Sequence, residues 1–264
     1  MLQFPNLSPT IFKLGPLEVR WYGVFYIVGF FIAFIFYKKF LKYRNVSLSK
    51  DIYEDLLFYL MIGVIVGGRL GYIIFYNLSF YIKNPLEVFA VWHGGMSFHG
   101  GVLGAITFGY FFQKKHKLNF LQLADPLMPL VAIGLGLGRL GNFINAELYG
   151  RVTTVPWGMV FPNTDGRPRH PSQLYESFLE GLILFLITWI ILKKTKRNGV
   201  VFFSWIGLYG VFRFIVEFFR EPDSQLGFVF LNFTQGQMLS SVMIIVGIIG
   251  VVYVYGRPSK ISSE

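Results

Sequence analysis

The chain has 264 residues, of which 54% are hydrophobic and 14% are charged, and its formal net charge at pH 7 is +10. Average globular proteins carry about 25% charged residues, so this composition excludes an ordinary water-soluble domain, and the apolar content excludes a disordered chain. The absence of cysteine excludes a disulfide framework, a thiolate metal site and a cysteine nucleophile.

Seven apolar runs approach the length of about 20 residues that a helix needs to cross a bilayer. We therefore predict an all-α, polytopic membrane protein with about seven transmembrane helices, short outer-face loops and a single integral membrane domain over residues 1–264. The fourth run is the weakest candidate, because its four glycines lower its helix propensity. The predicted spans are 21–37, 56–76, 96–112, 127–144, 174–192, 199–219 and 238–255.

The positive charges fall in short clusters between the apolar runs, which is typical of membrane-protein loops and argues against a nucleic-acid partner. Fourteen Lys and Arg residues lie on one side of the predicted membrane and seven on the other. Because cytoplasmic loops carry the excess, we predict an outside N-terminus and a cytoplasmic C-terminus. The larger set is Lys38, Lys39, Lys42, Arg44, Lys50, Lys114, Lys115, Lys117, Lys193, Lys194, Lys196, Arg197, Arg257 and Lys260, and the smaller set is Lys13, Arg20, Lys83, Arg151, Arg167, Arg169 and Arg220.

Polar residues of the predicted spans gather at one depth, towards the outer leaflet. Charged groups in hydrocarbon are costly and indicate a functional site by default. An ion pathway usually needs polar groups through the whole thickness, so a one-sided cluster better fits a site for a lipid headgroup. These residues are Tyr22, Arg69, His99, Arg139, Asn142, Glu176, Glu180, Arg213 and Glu217.

The sixth predicted span carries Tyr209, Arg213 and Glu217 at i, i+4 and i+8, so the three share a helix face. One interpretation is a structural Arg–Glu pair that holds the bundle together. The other is anion binding, because two or three arginines at one depth exceed what the nearby glutamates need for neutralisation. A phosphate group would then be the missing partner, since guanidinium groups match its oxygens bidentately.

Residues 136–141 match the pattern G-x-G-x-x-G of dinucleotide-binding folds. That fold requires a preceding strand within a βαβ unit, and here the pattern follows an apolar run of membrane length. We therefore expect a helix and no dinucleotide. Three glycines spaced four apart, Gly63, Gly67 and Gly71, instead favour close helix packing.

The chain resembles the prolipoprotein diacylglyceryl transferases, a family of bacterial inner-membrane enzymes, over nearly its whole length. One departure is His93, where the family carries Asp before the two glycines. The matching motifs are Arg20-Trp21-Tyr22-Gly23, Gly94-Gly95-Met96-Ser97-Phe98-His99-Gly100-Gly101, Gly138-Arg139-Leu140-Gly141-Asn142-Phe143-Ile144-Asn145 with Glu147 and Gly150-Arg151, Arg169-His170-Pro171-Ser172-Gln173-Leu174-Tyr175-Glu176, and Tyr209-Gly210-Val211-Phe212-Arg213 with Glu217.

The resemblance implies a reaction in which the diacylglyceryl group of phosphatidylglycerol moves to the lipobox cysteine thiol of a preprolipoprotein, so that a thioether forms and glycerol phosphate leaves. The partners it implies are phosphatidylglycerol, lipobox signal peptides and membrane lipids, and it implies no metal or organic cofactor. The catalytic residues are expected to be Tyr22, His99, Arg139, Glu147 and Arg213, and the substrate-binding residues to be Arg69, Arg139, Asn142, Gly150, His170, Tyr209, Arg213 and Glu217.

The chemistry of these residue types suits that reaction. A thiol must lose its proton to become a strong nucleophile, and His99 or a nearby Glu could accept it. Arg139 and Arg213 would stabilise the negative charge of the departing phosphate, although an arginine could instead lower the pKa of the thiol directly. An anion or lipid transporter that uses the arginine cluster, and a structural scaffold, are the alternatives from other functional classes.

Overall fold

The computed structural model describes residues 2–15, 17–90, 94–162, 164–221, 228–230 and 233–257. The departure from the family at His93 lies outside the described residues. Contacts between Cα atoms divide the chain into a larger unit, Met1–Asn45 with Ala124–Glu264, and a smaller unit, Val46–Leu123. The single membrane domain over residues 1–264 stays a prediction.

The described chain is mostly helical, and helices coincide with all seven predicted spans. Six of them are long and apolar enough to cross a membrane, and α4, with 18 residues, is not among the six. The seventh span is therefore not confirmed. The helices are α1 (Trp21–Leu41), α2 (Lys50–Tyr76), α3 (Leu78–Lys83), α4 (Phe98–Lys115), α5 (Phe120–Ile144), α6 (Ser172–Glu176), α7 (Leu184–Lys194), α8 (Val200–Glu217) and α9 (Gln235–Gly256), with a π-helical stretch at Ser177–Ile183 between α6 and α7.

Short strands also occur, so a strictly all-α description is wrong in detail. A hairpin of β2 (Thr10–Leu14) and β3 (Leu17–Arg20) leads directly into α1, and β1 (Leu2–Gln3) pairs in parallel with β4 (Met159–Val160). In addition, β5 (Phe228–Phe230) pairs antiparallel with β6 (Phe233–Thr234), just before α9. Isolated bridges join Gly150 to Arg220 and Val152 to Arg169, so the segment between α5 and α6 is tied by backbone hydrogen bonds.

The smaller unit is held together by glycine contacts between α2 and α4. A Cβ atom on Gly63 would lie 2.6 Å from the carbonyl oxygen of Gly104, and one on Gly71 would lie 2.7 Å from the Cα atom of Gly100. Because the neighbouring atoms are backbone, neither helix has room for a side chain. The close packing predicted from the spacing of Gly63, Gly67 and Gly71 is confirmed.

The glycine-rich fourth span is a continuous helix, α5, and it begins seven residues earlier than predicted. The expectation that its four glycines weaken it was wrong, because the helix is continuous, and two of the four are contact points. A Cβ atom on Gly136 would lie 2.9 Å from the Cα atom of Gly181, and one on Gly141 would lie 2.6 Å from the Tyr22 ring. The pattern G-x-G-x-x-G lies inside this helix, so the dinucleotide-binding interpretation fails.

A buried ion pair joins four segments of the larger unit. Nε and Nη2 of Arg44 each lie 2.9 Å from Oδ2 of Asp125, and both side chains are fully buried. The Arg44 guanidinium also donates to the carbonyl oxygens of Leu192 and Thr195 at the end of α7. Arg44 lies in the connection between α1 and α2, as predicted, but its charge is neutralised inside the protein, which the count of loop cations did not anticipate.

Asp125 also caps the beginning of α8. Its carboxylate accepts from the backbone N–H groups of Gly199 (2.8 Å) and Phe202 (2.9 Å). Those N–H groups lack partners within their own helix, and the partial positive charge of a helix N-terminus favours an anion there. One carboxylate therefore neutralises Arg44 and fixes the start of α8 against α5.

We expect Asp125→Asn to destabilise the protein by about 3–5 kcal/mol, because Arg44 would become a buried charge without its counter-ion. The measurement is thermal unfolding of the purified protein in detergent. Asp55→Asn is the matched control, since Asp55 pairs with Lys115 on an exposed surface and such pairs contribute about 0–1 kcal/mol. Equal small losses in both variants would contradict a stabilising role for the buried pair.

Candidate functional site

Glu176 is the centre of a cluster of charges at one end of α5, α6 and α8. Its Oε2 atom lies 2.5 Å from Nε of Arg139, and its Oε1 atom accepts from Nη1 of Arg213 at 3.1 Å. Oε1 also accepts from Nη1 of Arg220, in the turn after α8, at 3.3 Å. Glu176 is only 1% exposed, so this one carboxylate joins three guanidinium groups away from solvent.

The cluster contains as many glutamates as arginines. Glu217 lies 2.7 Å from Nη2 of Arg213, and Oε2 of Glu180 lies 3.8 Å from Nη2 of Arg139. With all side chains ionised, three positive and three negative charges cancel. The predicted excess of arginine over glutamate was therefore wrong, because the charges of Arg139, Arg213 and Arg220 are matched by glutamates from two helices.

The predicted shared face of α8 is confirmed by the ion pair between Arg213 and Glu217. Oε1 of Glu217 also accepts from the Thr234 hydroxyl at 3.0 Å, and a Cβ atom on Gly236 would lie 2.7 Å from this carboxylate. Glu217 thus connects α8 to the start of α9. These contacts fix the Glu217 side chain and, through it, the orientation of the Arg213 guanidinium.

Two tyrosines lie beside the arginines. Tyr209 stacks on Trp205 with ring centroids 5.2 Å apart, and it interacts electrostatically with Arg139 and Arg213. The hydroxyl groups of Tyr22 and Tyr26 are 3.1 Å apart. The contact between Gly141 and the Tyr22 ring brings the start of α1 to the end of α5.

Asn142 and Glu147 form a polar group just beyond Arg139. Oε1 of Glu147 accepts from Nδ2 of Asn142 at 2.8 Å and from Nδ2 of Asn145 at 3.2 Å. Gln173, at the start of α6, donates to the backbone carbonyl of Glu147 at 2.6 Å. Two amides therefore hold an exposed carboxylate at the same end of the helices as the charge cluster.

Gly150 and His170 meet in the layer of loops next to the cluster. The Gly150 N–H donates to the His170 carbonyl at 2.8 Å, and a Cβ atom on Gly150 would lie 2.7 Å from the His170 Cβ atom. Nδ1 of His170 lies 3.1 Å from the Tyr175 hydroxyl, which accepts from Nε1 of Trp157 at 2.7 Å. The close approach of the two segments therefore explains why residue 150 is a glycine.

The smaller unit holds the other two predicted site residues, Arg69 and His99. Arg69 is buried, and its five N–H groups donate to five backbone carbonyls, those of Glu87, Val88, Ala90, Gly94 and Gly95. Arg69 therefore holds residues 87–90 and 94–95 in place, and all its donors are used within the described chain, which leaves none for a headgroup. His99 lies in the first turn of α4 with an exposed side chain.

The predicted catalytic and substrate-binding residues did not include Glu176, Glu180 or Arg220, although the predicted outer-leaflet cluster contained Glu176 and Glu180. Glu176 and Glu180 are one helical turn apart at the start of an apolar run, and that spacing was the available signal. Arg220 follows Glu217 by three residues, which places it on the same side of the chain. No group of three or more His, Asp or Glu residues that could hold a metal ion occurs among the described ranges of the chain.

The His170 contact predicts a pH-dependent stability. Burial lowers the pKa of His170 below its ordinary value. Nδ1 of a neutral His170 can accept a hydrogen bond from the Tyr175 hydroxyl, whose oxygen accepts from Trp157. The unfolded chain therefore binds more protons than the folded one at mildly acidic pH, and stability falls as pH decreases through about 6.5.

We expect the free energy of unfolding to fall by less than about 1 kcal/mol between about pH 8 and about pH 5, since the His170 ring is only part buried. Hydrogen exchange of residues 150–170 measures this change. His170→Gln should make exchange of this segment independent of pH in that range, whereas His116→Gln should not change the wild-type dependence. A wild-type pH dependence in the His170 variant would contradict this assignment.

Comparison with known proteins identifies the family. A family model described as prolipoprotein diacylglyceryl transferase matches residues 9–253. A phosphatidylglycerol–prolipoprotein diacylglyceryl transferase of Geobacter sulfurreducens is 54% identical over 256 residues, which cover 97% of this chain and 98% of the relative. Relatives with the same name from Vibrio campbellii (97% of this chain, 94% of the relative) and Legionella pneumophila (94% and 97%) are 49% and 48% identical. The chain belongs to the prolipoprotein diacylglyceryl transferase family.

Proposed function

We propose that this protein transfers the diacylglyceryl group of phosphatidylglycerol to the thiol of the lipobox cysteine in preprolipoproteins. The relatives' names supply the donor and the acceptor class. The observation that carries the proposal is the Glu176-centred cluster, in which two helices direct arginine side chains at one carboxylate. The reaction needs no metal or organic cofactor.

We further propose that the chain crosses the bacterial inner membrane seven times, with its N-terminus outside and its C-terminus in the cytoplasm. Its 18 residues give α4 a length of about 27 Å, close to the thickness of the hydrocarbon core. Lys114 and Lys115 lie at the end of α4 that this topology places in the cytoplasm. Removing the buried Arg44 from the count leaves the excess of Lys and Arg on the same side. The site then faces the outer leaflet.

In the proposed reaction the thiolate sulfur attacks the carbon of the diacylated glycerol that is bonded to the phosphodiester oxygen. A carbon–sulfur bond forms as the carbon–oxygen bond breaks, and glycerol phosphate leaves with the bonding electrons. Because Arg213 and Arg220 share one oxygen of Glu176, one guanidinium can turn to the phosphate while Glu176 stays paired. Charge stabilisation of this kind is strongest in a site with little water.

The transporter alternative has no support from the family match, and we do not retain it. Tyr22, Asn142 and Glu147 lie at the same end of the larger unit as the arginines. We propose that Asn142 and Glu147 bind polar groups of the substrates, with Gly150 and His170 shaping the adjoining loop. Tyr209 and Glu217 orient Arg213, and Arg69 acts by holding residues 87–90 and 94–95 in place.

The test is incubation of the purified protein with phosphatidylglycerol and a lipobox peptide, followed by the peptide mass. We expect Arg139→Lys and Arg213→Lys each to lose at least about 100-fold in turnover, nearly as much as the alanine variants, because an ammonium cannot reproduce the bidentate fork. Arg167→Lys is the matched control, since Arg167 is exposed and pairs with Asp165. Near-normal turnover in both lysine variants, with normal unfolding temperatures, would remove the phosphate-binding role.

We propose that His99 takes the proton from the thiol. A general base contributes about 10²–10⁴-fold, so His99→Gln should lose that much turnover while phosphatidylglycerol still binds. Raising the pH should partly restore turnover, since more of the peptide becomes thiolate unaided. His116→Gln, a histidine variant in the same unit, should behave as wild type. An active His99→Gln protein with the wild-type pH profile would mean that Glu147 accepts the proton or that the arginines lower the pKa of the thiol.

A further inference from the structure

Glu180 differs from the other two glutamates of the cluster in how it is bound. It is fully buried, and within the described parts of the chain neither of its carboxylate oxygens has a hydrogen-bond donor. Its ion-pair partner is Arg139, at 3.8 Å. By contrast, Glu176 has guanidinium nitrogens at 2.5 and 3.1 Å, and Glu217 has one at 2.7 Å.

The arginines are already committed to other carboxylates. Nε of Arg139 faces Glu176, and Arg213 spans Glu176 and Glu217. An ionised carboxylate that is buried without hydrogen bonds is far more costly than a neutral carboxylic acid in the same place. The surroundings of Glu180 therefore favour its protonated form.

The backbone around Glu180 is also unusual. Ser177–Ile183 is π-helical within an otherwise α-helical run, and π-bulges occur frequently at functional sites. Gly181, the next residue, packs against Gly136 so closely that neither has room for a Cβ atom. These contacts leave the Glu180 side chain against the arginines and prevent the helix from withdrawing it.

We propose that Glu180 carries a proton in the resting protein and is a positioning residue that sets the charge of the cluster. With Glu180 neutral, three arginines face two carboxylates, and the cluster has a net charge of +1. That charge matches the single negative charge of a phosphodiester. This inference rests on the proposed function, because it assumes that a phosphatidylglycerol headgroup is the anion bound there.

The groups that act on the Glu180 carboxyl come from three segments. Glu176 lies one turn before it, Arg139 faces it from α5, and Tyr209, Arg213 and Arg220 face it from α8 and the turn that follows. If Glu180 loses its proton, the cluster becomes neutral and attracts a phosphodiester less strongly. Binding of the lipid should therefore weaken as the pH rises and Glu180 ionises, by on the order of tenfold.

The first test is spectroscopic and needs no substrate. Infrared difference spectra of wild type against E180Q should show the carbonyl band of a protonated carboxylic acid that only the wild type has. E54Q is the matched control, because Glu54 pairs with Lys50 on the surface, and its spectrum should keep that band. Absence of a protonated-acid band in the wild-type difference spectrum would overturn the proposal.

The second test titrates the full-length protein in neutral detergent with short-chain phosphatidylglycerol over a range of pH, without peptide. Wild type and E54Q should bind more weakly as the pH rises, whereas E180Q should bind at every pH as wild type does at low pH. Identical pH profiles in wild type and E180Q, or loss of binding in a folded E180Q protein at all pH values, would overturn the role of Glu180. Failure of wild type to bind the lipid at any pH would instead overturn the proposed function, and this inference with it.

Discussion

One carboxylate determines where the charge cluster lies in the larger unit. Glu176 is buried and joins Arg139 on α5 to Arg213 on α8 and Arg220 beyond it. Charges removed from water are tolerated only when they are paired, so α5, α6 and α8 must meet with their polar ends together. Removing Glu176 would leave three guanidinium groups with too few negative charges beside them. The same side chain therefore determines how these helices pack and what charge the cluster carries.

The opposite ends of α5 and α8 are fixed by a second buried pair. Arg44 and Asp125 bind the end of α7 and the start of α8 through backbone groups, so α8 is held by charge at both ends. Between these ends small residues allow close contact, as at Gly207 and Gly247, where a Cβ atom on Gly247 would lie 2.5 Å from the Gly207 Cα atom. A frame held at both ends keeps the helices that carry the arginines in place before any substrate arrives, which is what electrostatic catalysis requires.

The sequence predicted the helices well, because apolar length is a local property, and it predicted the Arg213–Glu217 pair, because i, i+4 neighbours share a face. It did not predict that Glu176 would be the centre, since contacts between helices depend on packing that spacing does not encode. The same limit explains why the burial of Arg44 was not predicted and why Arg69 was taken for a headgroup ligand. Both guanidinium groups are used by backbone carbonyls from distant segments. Composition also explains why α4 is not among the six helices that are apolar enough to cross a membrane, because it is rich in glycine and carries two lysines at its end.

The equal number of arginines and glutamates changes how an anion must be recognised. Arginines without carboxylate partners would attract any anion. Here Arg139, Arg213 and Arg220 each already have a glutamate partner, so even with Glu180 protonated an incoming phosphate must replace a carboxylate as the partner of a guanidinium. The sharing of Oε1 of Glu176 by Arg213 and Arg220 provides such an exchange, because either arginine can leave while that oxygen stays paired. Selectivity then depends on the guanidinium geometry, with the charge of Glu180 setting how strongly the exchange is favoured.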